Sequence, residues 1–236
     1  MRPSHRTLLA LCLLSAGLAY TPLATPLANA DPLKATGFAV GYENVTLTSP
    51  GFVLGPTVHA GAFNLNPPAG VIAYCIDIFQ TLSFGSLYSD YSTSTLAADG
   101  VLSATRKNEI SQLFHGFYNT SLTSSTNSAA FQLALWEIVY ETGPKLNVDG
   151  ANSSDRGVTY ATNPSTPANV ITIADSWLAG LGGYASDLDG FTTYRSANHQ
   201  DLISYVGHEV PEPATWTMLL AGLGLVTFVG RRRMKA

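Results

Sequence analysis

The sequence predicts an α+β protein, a β-sandwich or barrel with a helical insertion, set between an N-terminal signal peptide and a C-terminal single transmembrane helix. Three observations predict it. Short runs of aromatic and β-branched residues, broken by Gly and Pro, fill residues 38–81 and return at 191–206. Three stretches with helical spacing lie between them. Both ends of the chain are apolar segments bordered by basic residues. The order strands, helices, strands is that of one β domain carrying inserted helices, and about 180 residues are enough to bury a sizeable core.

Arg2, His5 and Arg6 form a basic start, Leu8 to Ala19 an apolar run, and Ala28-Asn29-Ala30 an A-x-A cleavage site. That run is too short to span a bilayer. Residues 1–30 therefore read as a secretory signal peptide with Asp31 as the mature start. Its removal takes Cys12 and leaves Cys75 as a lone cysteine that cannot form an internal disulfide.

In the body, residues 31–208, the spacing predicts strands at Phe38–Tyr42, Val45–Leu47, Phe52–Leu54 and Val58–Leu65, with a tight turn at Glu43-Asn44 and a break at Asn66-Pro67-Pro68-Ala69-Gly70. Val71 to Thr81 reads as a long central strand. Val71, Ala73, Cys75, Asp77 and Phe79 share one face, and Ile72, Tyr74, Ile76 and Ile78 the other. Both faces are mainly apolar, so cover on both sides is expected. Residues 84–100 are Ser- and Tyr-rich and read as a loop or irregular edge.

Ser103 is placed to cap a helix from Ala104 to about Tyr118, with Ile110, Leu113, Phe114 and Phe117 on its apolar face. A polar connector, residues 119–128, leads to a second helix, capped by Asn127 or Ser128 and stopped at Gly143-Pro144. The second helix is apolar around nearly its whole circumference, the mark of a buried helix. Gln132 is one uncharged polar side chain in its first half. Burying an amide costs a few kcal/mol unless it is satisfied, and the partner expected for it is Cys75. Residues 145–165 read as a surface loop. Thr166-Pro167 opens a third helix with a capping hydroxyl and a stripe of Val170, Ala174, Trp177, Leu178 and Leu181, ended by Gly182-Gly183. Phe191–Tyr194 and Leu202–Val206 return to strand character.

Between Asp31 and Val210 six Lys and Arg face fifteen Asp and Glu, a net charge of −9 hidden within a whole-chain value of −4. Such an acidic body argues against nucleic acid or anionic lipid as partner. Nothing in the sequence calls for a cofactor or a metal. Asp187-Leu188-Asp189-Gly190 is only a fragment of a calcium loop and lacks the later Glu.

The C-terminal part, residues 209–236, is the most specific signal. Pro211, Glu212 and Pro213 precede a charge-free apolar segment from Ala214 to Gly230, followed at once by Arg231, Arg232, Arg233 and then Lys235. Read from the residues, this is a tail anchor in the inner membrane with its basic cluster on the cytoplasmic side. It closely resembles the PEP-CTERM sorting signal of Gram-negative bacteria. That resemblance implies recognition by an exosortase, a membrane cysteine protease, with cleavage near the Pro-Glu-Pro triplet and transfer to the cell surface or release. It further implies a setting of exopolysaccharide and biofilm matrix.

A second resemblance rests on Tyr74-Cys75-Ile76-Asp77 and on Gln132-Leu133-Ala134-Leu135-Trp136. Together they are similar to the thioester domain of bacterial surface adhesins, although Phe131 stands where that family commonly has Thr. The resemblance implies that the Cys75 sulfur and the Gln132 side-chain carbonyl join with loss of ammonia. Tyr74, Asp77, Phe131, Leu135 and Trp136 would surround the bond, with Trp136 shielding it. The implied activity is single-use covalent attachment to amine-bearing surface or matrix molecules, not turnover, so the body is not expected to be an enzyme. The residues alone leave other readings open. A lone buried Cys is commonly a small core residue, and a Gln in an apolar helix commonly satisfies a backbone carbonyl. A non-covalent structural role in the matrix would follow. A cysteine-dependent enzyme using His59, His115 or His199 lacks a nucleophile elbow or Gly-rich turn to support it.

Overall fold

The computed structural model describes residues 31–49, 52–53, 57–148, 159–160 and 166–207. The expected signal peptide, the apolar C-terminal segment and most of the expected 145–165 loop lie outside them. Among the described residues no helix is long and apolar enough to cross a membrane.

The strands are β1 (Asp31–Leu33), β2 (Ala35–Phe38), β3 (Glu43–Val45), β4 (Leu47–Ser49), β5 (Phe52–Val53), β6 (Val58–Ala60), β7 (Phe63–Leu65), β8 (Val71–Cys75), β9 (Tyr88–Thr95), β10 (Thr159–Tyr160), β11 (Phe191–Arg195) and β12 (Leu202–Tyr205). The helices are α1 (Ala104–Ser121), α2 (Ser125–Tyr140) and α3 (Ala168–Gly180), with a 3-10 turn at Leu181–Gly183 after α3.

Seven strands form one antiparallel sheet in the order β1-β9-β11-β12-β8-β7-β2. Its two edges, β1 and β2, are consecutive in the chain and separated only by Lys34. A sheet whose edges are joined by one residue has to curl upon itself, which gives a nearly closed barrel and leaves few free edges. Lys34 completes the seam: its N–H donates to Pro67 O, and its carbonyl accepts from Asn66 N–H. Two small sheets, β10-β4-β5 and β3-β6, flank the barrel. The expected α+β class with inserted helices therefore stands.

Helix α2 forms the centre of the helical layer, packed between α1 and α3 and against β3, β6 and β8. Every residue from Ser128 to Ile138 is buried, which accounts for a sequence apolar on all sides. An aromatic cluster welds helices to sheet. The Tyr74 ring lies 4.5 Å from that of Phe131, and Phe114 stands 4.8 Å from Phe131 and 5.2 Å from Phe191.

Several local expectations need correction. Helix α2 starts earlier than predicted: Ser124, not Asn127 or Ser128, is the cap, its Oγ accepting from Asn127 N–H. Ser125 and Thr126 donate instead to the Glu43 carboxylate, a tertiary contact that holds a polar first turn in place. The polar connector shrinks accordingly to three residues, and α2 ends at Tyr140, short of Gly143-Pro144. Glu43 and Asn44 lie within β3, not in a turn. The long strand from Val71 stops at Cys75. The Thr166 hydroxyl caps no helix; it accepts from Thr46 N–H, and α3 starts behind Pro167 without a side-chain cap. Residues 84–100, expected to be irregular, contain the eight-residue strand β9.

Candidate functional site

Strand β8 pairs with β7 through Val71, Ile72 and Ala73. Two residues further, the same register would set Gly61 opposite Cys75. The chain has already turned away: Ala62 N–H donates to Ser128 Oγ, and Gly61 packs so closely that a Cβ on it would lie 2.7 Å from Gly41 O. Among the described residues Cys75 thus keeps β12 as neighbour on one side and no strand on the other.

The Gln132 carboxamide fills that gap. Its Oε1 accepts from Cys75 N–H at 3.0 Å, and its Nε2 donates to Cys75 O at 2.7 Å, across 57 residues of sequence. The side chain imitates the two-bond pairing of a strand residue, so both backbone groups of Cys75 are satisfied in a place closed to water. Gln132 and Cys75 are each 1 % exposed.

Gln132 belongs to a row. Ser128, Gln132, Trp136 and Tyr140 recur every four residues, which sets them one above another on the face of α2 turned to β8 and the segment after it. Ser128 Oγ meets Ala62 N–H and the Tyr74 hydroxyl. Tyr140 Oη accepts from Ile78 N–H at 3.1 Å and lies 3.4 Å from the Asp77 carboxylate. The i, i+4 spacing of hydrogen-bonding side chains in an otherwise apolar helix is the signal in the sequence that would have found Ser128 and Tyr140.

The sulfur is held apart from the carboxamide's own bonds. Cys75 S–H donates to Asp77 O, and Asp77 N–H approaches Sγ at 3.3 Å, so the chain after β8 folds around the thiol. The Asp77 carbonyl takes a further bond from Gln200 Nε2 at 3.1 Å, and its carboxylate accepts from Phe79 N–H at 2.8 Å. Burial pushes the pKa of the thiol far up; the Trp136 indole and the Asp77 peptide act on the sulfur in the opposite direction without offsetting it. Cys75 is therefore a neutral thiol at physiological pH, unlike the thiolate of a cysteine hydrolase. Although the indole bears on the sulfur, Trp136 Nε1 has no acceptor at hydrogen-bonding geometry, and Trp136 is 3 % exposed.

Of the residues expected around this pair, Tyr74, Phe131, Leu135 and Trp136 are buried and Asp77 is partly buried. Tyr74 donates to Ser121 Oγ at 2.7 Å, a bond the sequence did not announce. His115 and His199 sit elsewhere, His115 bonded to the Ser111 carbonyl and His199 with its ring 4.2 Å from that of Tyr88, while His59 stacks on Tyr42 at 4.1 Å and lines a cleft shared with Trp136. The sorting residues Pro211, Glu212, Pro213 and Arg231–Arg233 lie outside the described residues.

Comparison with known proteins yields three findings. No curated protein matches the chain in sequence. Among solved structures, the thioester domain of the Staphylococcus aureus TIE protein aligns over 77% of this chain and 81% of its own length, with 13% sequence identity and a TM-score of 0.37. Residues 209–233 match the PEP-CTERM protein-sorting motif, and the chain therefore carries the address of an exported protein processed by exosortase.

Proposed function

We propose that this exported chain is a surface or matrix protein that attaches itself covalently to amine-bearing molecules through an internal thioester between Cys75 and Gln132. The observation that supports this reading is the seating of the Gln132 carboxamide on the peptide unit of Cys75, in a site where both residues are closed to water. Condensation forms an S–C bond from the sulfur to the carboxamide carbon and breaks that carbon's bond to nitrogen. The thiol proton leaves with the nitrogen as ammonia. A dry site slows hydrolysis of the product, and an amine from a partner can then displace the sulfur, restoring the thiol and leaving an amide bond. One such bond lies beyond the reach of non-covalent affinity, which suits a protein exposed to shear. The chemistry is stoichiometric, so the reading is of an adhesive and not of an enzyme.

Intact mass of the purified body tests it. The thioester form is lighter by one ammonia, gains the mass of methylamine when treated with it, and loses both properties in Cys75→Ala. A normal mass with a thiol that is labelled only after denaturation rejects the covalent reading. One observation favours a second, non-covalent role as a matrix component: the amide already satisfies both backbone groups of Cys75, as a purely structural tie between helix and strand would.

A further inference from the structure

Three buried side-chain atoms among the described residues lack a hydrogen-bond partner: Arg195 Nη2, Gln80 Oε1 and Trp136 Nε1. Arg195 Nη2 lies 2.9 Å from the Asp99 carboxylate and is satisfied as an ion pair. The other two belong to residues that line one cleft of about 300 Å³, whose walls include Phe38, Phe63 and Phe84. Buried polar groups are normally paired, so an unpaired acceptor and an unpaired donor on one cleft together call for a ligand or a reacting group. The two are placed differently. Trp136 stands one helical turn beyond Gln132 on the same face of α2, and Gln200, which also lines the cleft, donates to the Asp77 carbonyl that takes the Cys75 S–H. Gln80 lies in the segment after β8, its Nε2 tied to Ala197 O and its Oε1 free. Of the aromatic rings in the cleft wall, Phe84 is 45 % exposed and packs 5.0 Å from Phe38.

We infer that this cleft is the port through which an alkyl amine, such as a lysine side chain, reaches the Cys75–Gln132 pair, with Gln80 holding the incoming nitrogen and Trp136 holding the departing sulfur. The inference rests on the thioester reading and extends it to the route and the groups that serve it. Among the described residues the lining has no carboxylate and only His59 as a titratable group, so it suits an amine arriving neutral rather than a bound ammonium. The amine's aliphatic stem packs against Phe38, Phe63 and Phe84 while one of its N–H groups donates to Gln80 Oε1. Its lone pair forms the new N–C bond and the C–S bond breaks. The sulfur leaves with the electron pair beside the indole N–H, then takes the surplus proton of the amine and returns to the thiol. Trp136 supplies a donor where negative charge develops, at no cost of desolvating it during the reaction.

The test is the rate at which the thioester-bearing protein is consumed, followed by intact mass, with methylamine, with an Nα-blocked lysine amide and with water alone. Gln80→Leu is expected to slow lysine aminolysis about tenfold, more than it slows hydrolysis, since one hydrogen bond to the amine is lost. Trp136→Phe keeps the ring but not the donor, and is expected to slow aminolysis and hydrolysis alike by about tenfold, because the sulfur leaves in both. Thr81→Trp narrows the exposed rim without touching the pair, and is expected to slow the blocked lysine far more than methylamine. Rates within about twofold of the parent for all three variants, each carrying the thioester, overturn the port while leaving the thioester standing. A parent protein of unreduced mass overturns the thioester and the port with it. Should Trp136→Phe fail to fold, the other two variants decide.

Discussion

Replacing Gln132 by Leu in a chain that already carries Cys75→Ala isolates the hydrogen-bonded tie between α2 and β8 from any covalent chemistry. The alanine removes the sulfur but keeps the backbone groups that Gln132 holds at 2.7 and 3.0 Å. Leucine then fills nearly the same volume without offering a donor or an acceptor, so the cost falls on the backbone N–H and C=O at position 75. No strand stands ready to replace the amide, because β7 begins only at Phe63, opposite Ala73. Each orphaned buried group costs ~1–3 kcal/mol, so the added substitution, which orphans two, is expected to destabilise by about 2–6 kcal/mol. That is a large part of the ~5–15 kcal/mol typical of a whole domain. Urea unfolding followed by fluorescence measures it, since Trp136 and Trp177 are buried and report on the helical layer. If the double variant unfolds within about 0.5 kcal/mol of the single one, water or a shifted strand satisfies the backbone at position 75 and the structural argument for the tie is wrong.

Three further outcomes follow from the same packing. Ser124→Ala should destabilise by about 1 kcal/mol in thermal unfolding, whereas Asn127→Ala should cost less than half of that, because only Ser124 caps α2. Gly61→Ala should lower stability by ~1–3 kcal/mol in urea unfolding, because its Cβ would meet backbone at Gly41, which cannot swing aside as a side chain would. Asp99 accepts from Val101 and Leu102 N–H at 2.9 and 3.0 Å and pairs with Arg195, which also holds Asp201 at 2.8 Å. Burial pushes its pKa up, but these N–H groups and the guanidinium outweigh it and bring the pKa below the ordinary value. A depressed pKa contributes stability that is fully present above the unfolded value, about 3.9, and is lost as pH falls from there through the folded value. Asp99→Asn should therefore cost ~1–3 kcal/mol at neutral pH and flatten the acid limb of a stability–pH curve below about pH 4.

The parts legible in the sequence are those where one side chain's chemistry decides. Ser103 caps α1 as its position suggests, accepting from Arg106 N–H. The buried character of α2, the apolar stripe of α3 and the last two strands also follow from their residues, because burial and periodicity agree there. Strand β9 was hidden for the opposite reason. Only Tyr91 among its eight residues is buried, and the strand is held by backbone ladders to β1 and β11 that polar Ser and Thr side chains do not betray. The start of α2 was ambiguous because residues 123–128 hold a run of Ser, Thr and Asn, any of which can cap; Glu43, distant in sequence, tips the balance by taking the hydroxyls of Ser125 and Thr126. The way Gln132 meets Cys75, through the backbone, required knowledge that β7 departs early. That departure depends on Gly61 and Gly41 meeting, a long-range fact that no local pattern encodes.

The same early departure bears on why a carboxamide stands where it does. A ladder continued two residues further would pair Gly61 with Cys75 and leave the space under α2 to an aliphatic side chain. Here the ladder is given up and its two hydrogen bonds are rebuilt from a side chain, so the pairing is kept while the atoms supplying it change. The exchange adds one thing a strand residue would not bring: an acyl carbon on a flexible side chain, held on the peptide unit of a buried thiol. A backbone amide there would be fixed in its plane and locked in the chain. The side-chain amide can lose its nitrogen without breaking the polypeptide, and afterwards its oxygen can still accept from Cys75 N–H. The proposed condensation therefore sacrifices one hydrogen bond of the tie, from Nε2 to Cys75 O, and compensates it with a covalent bond across the same gap.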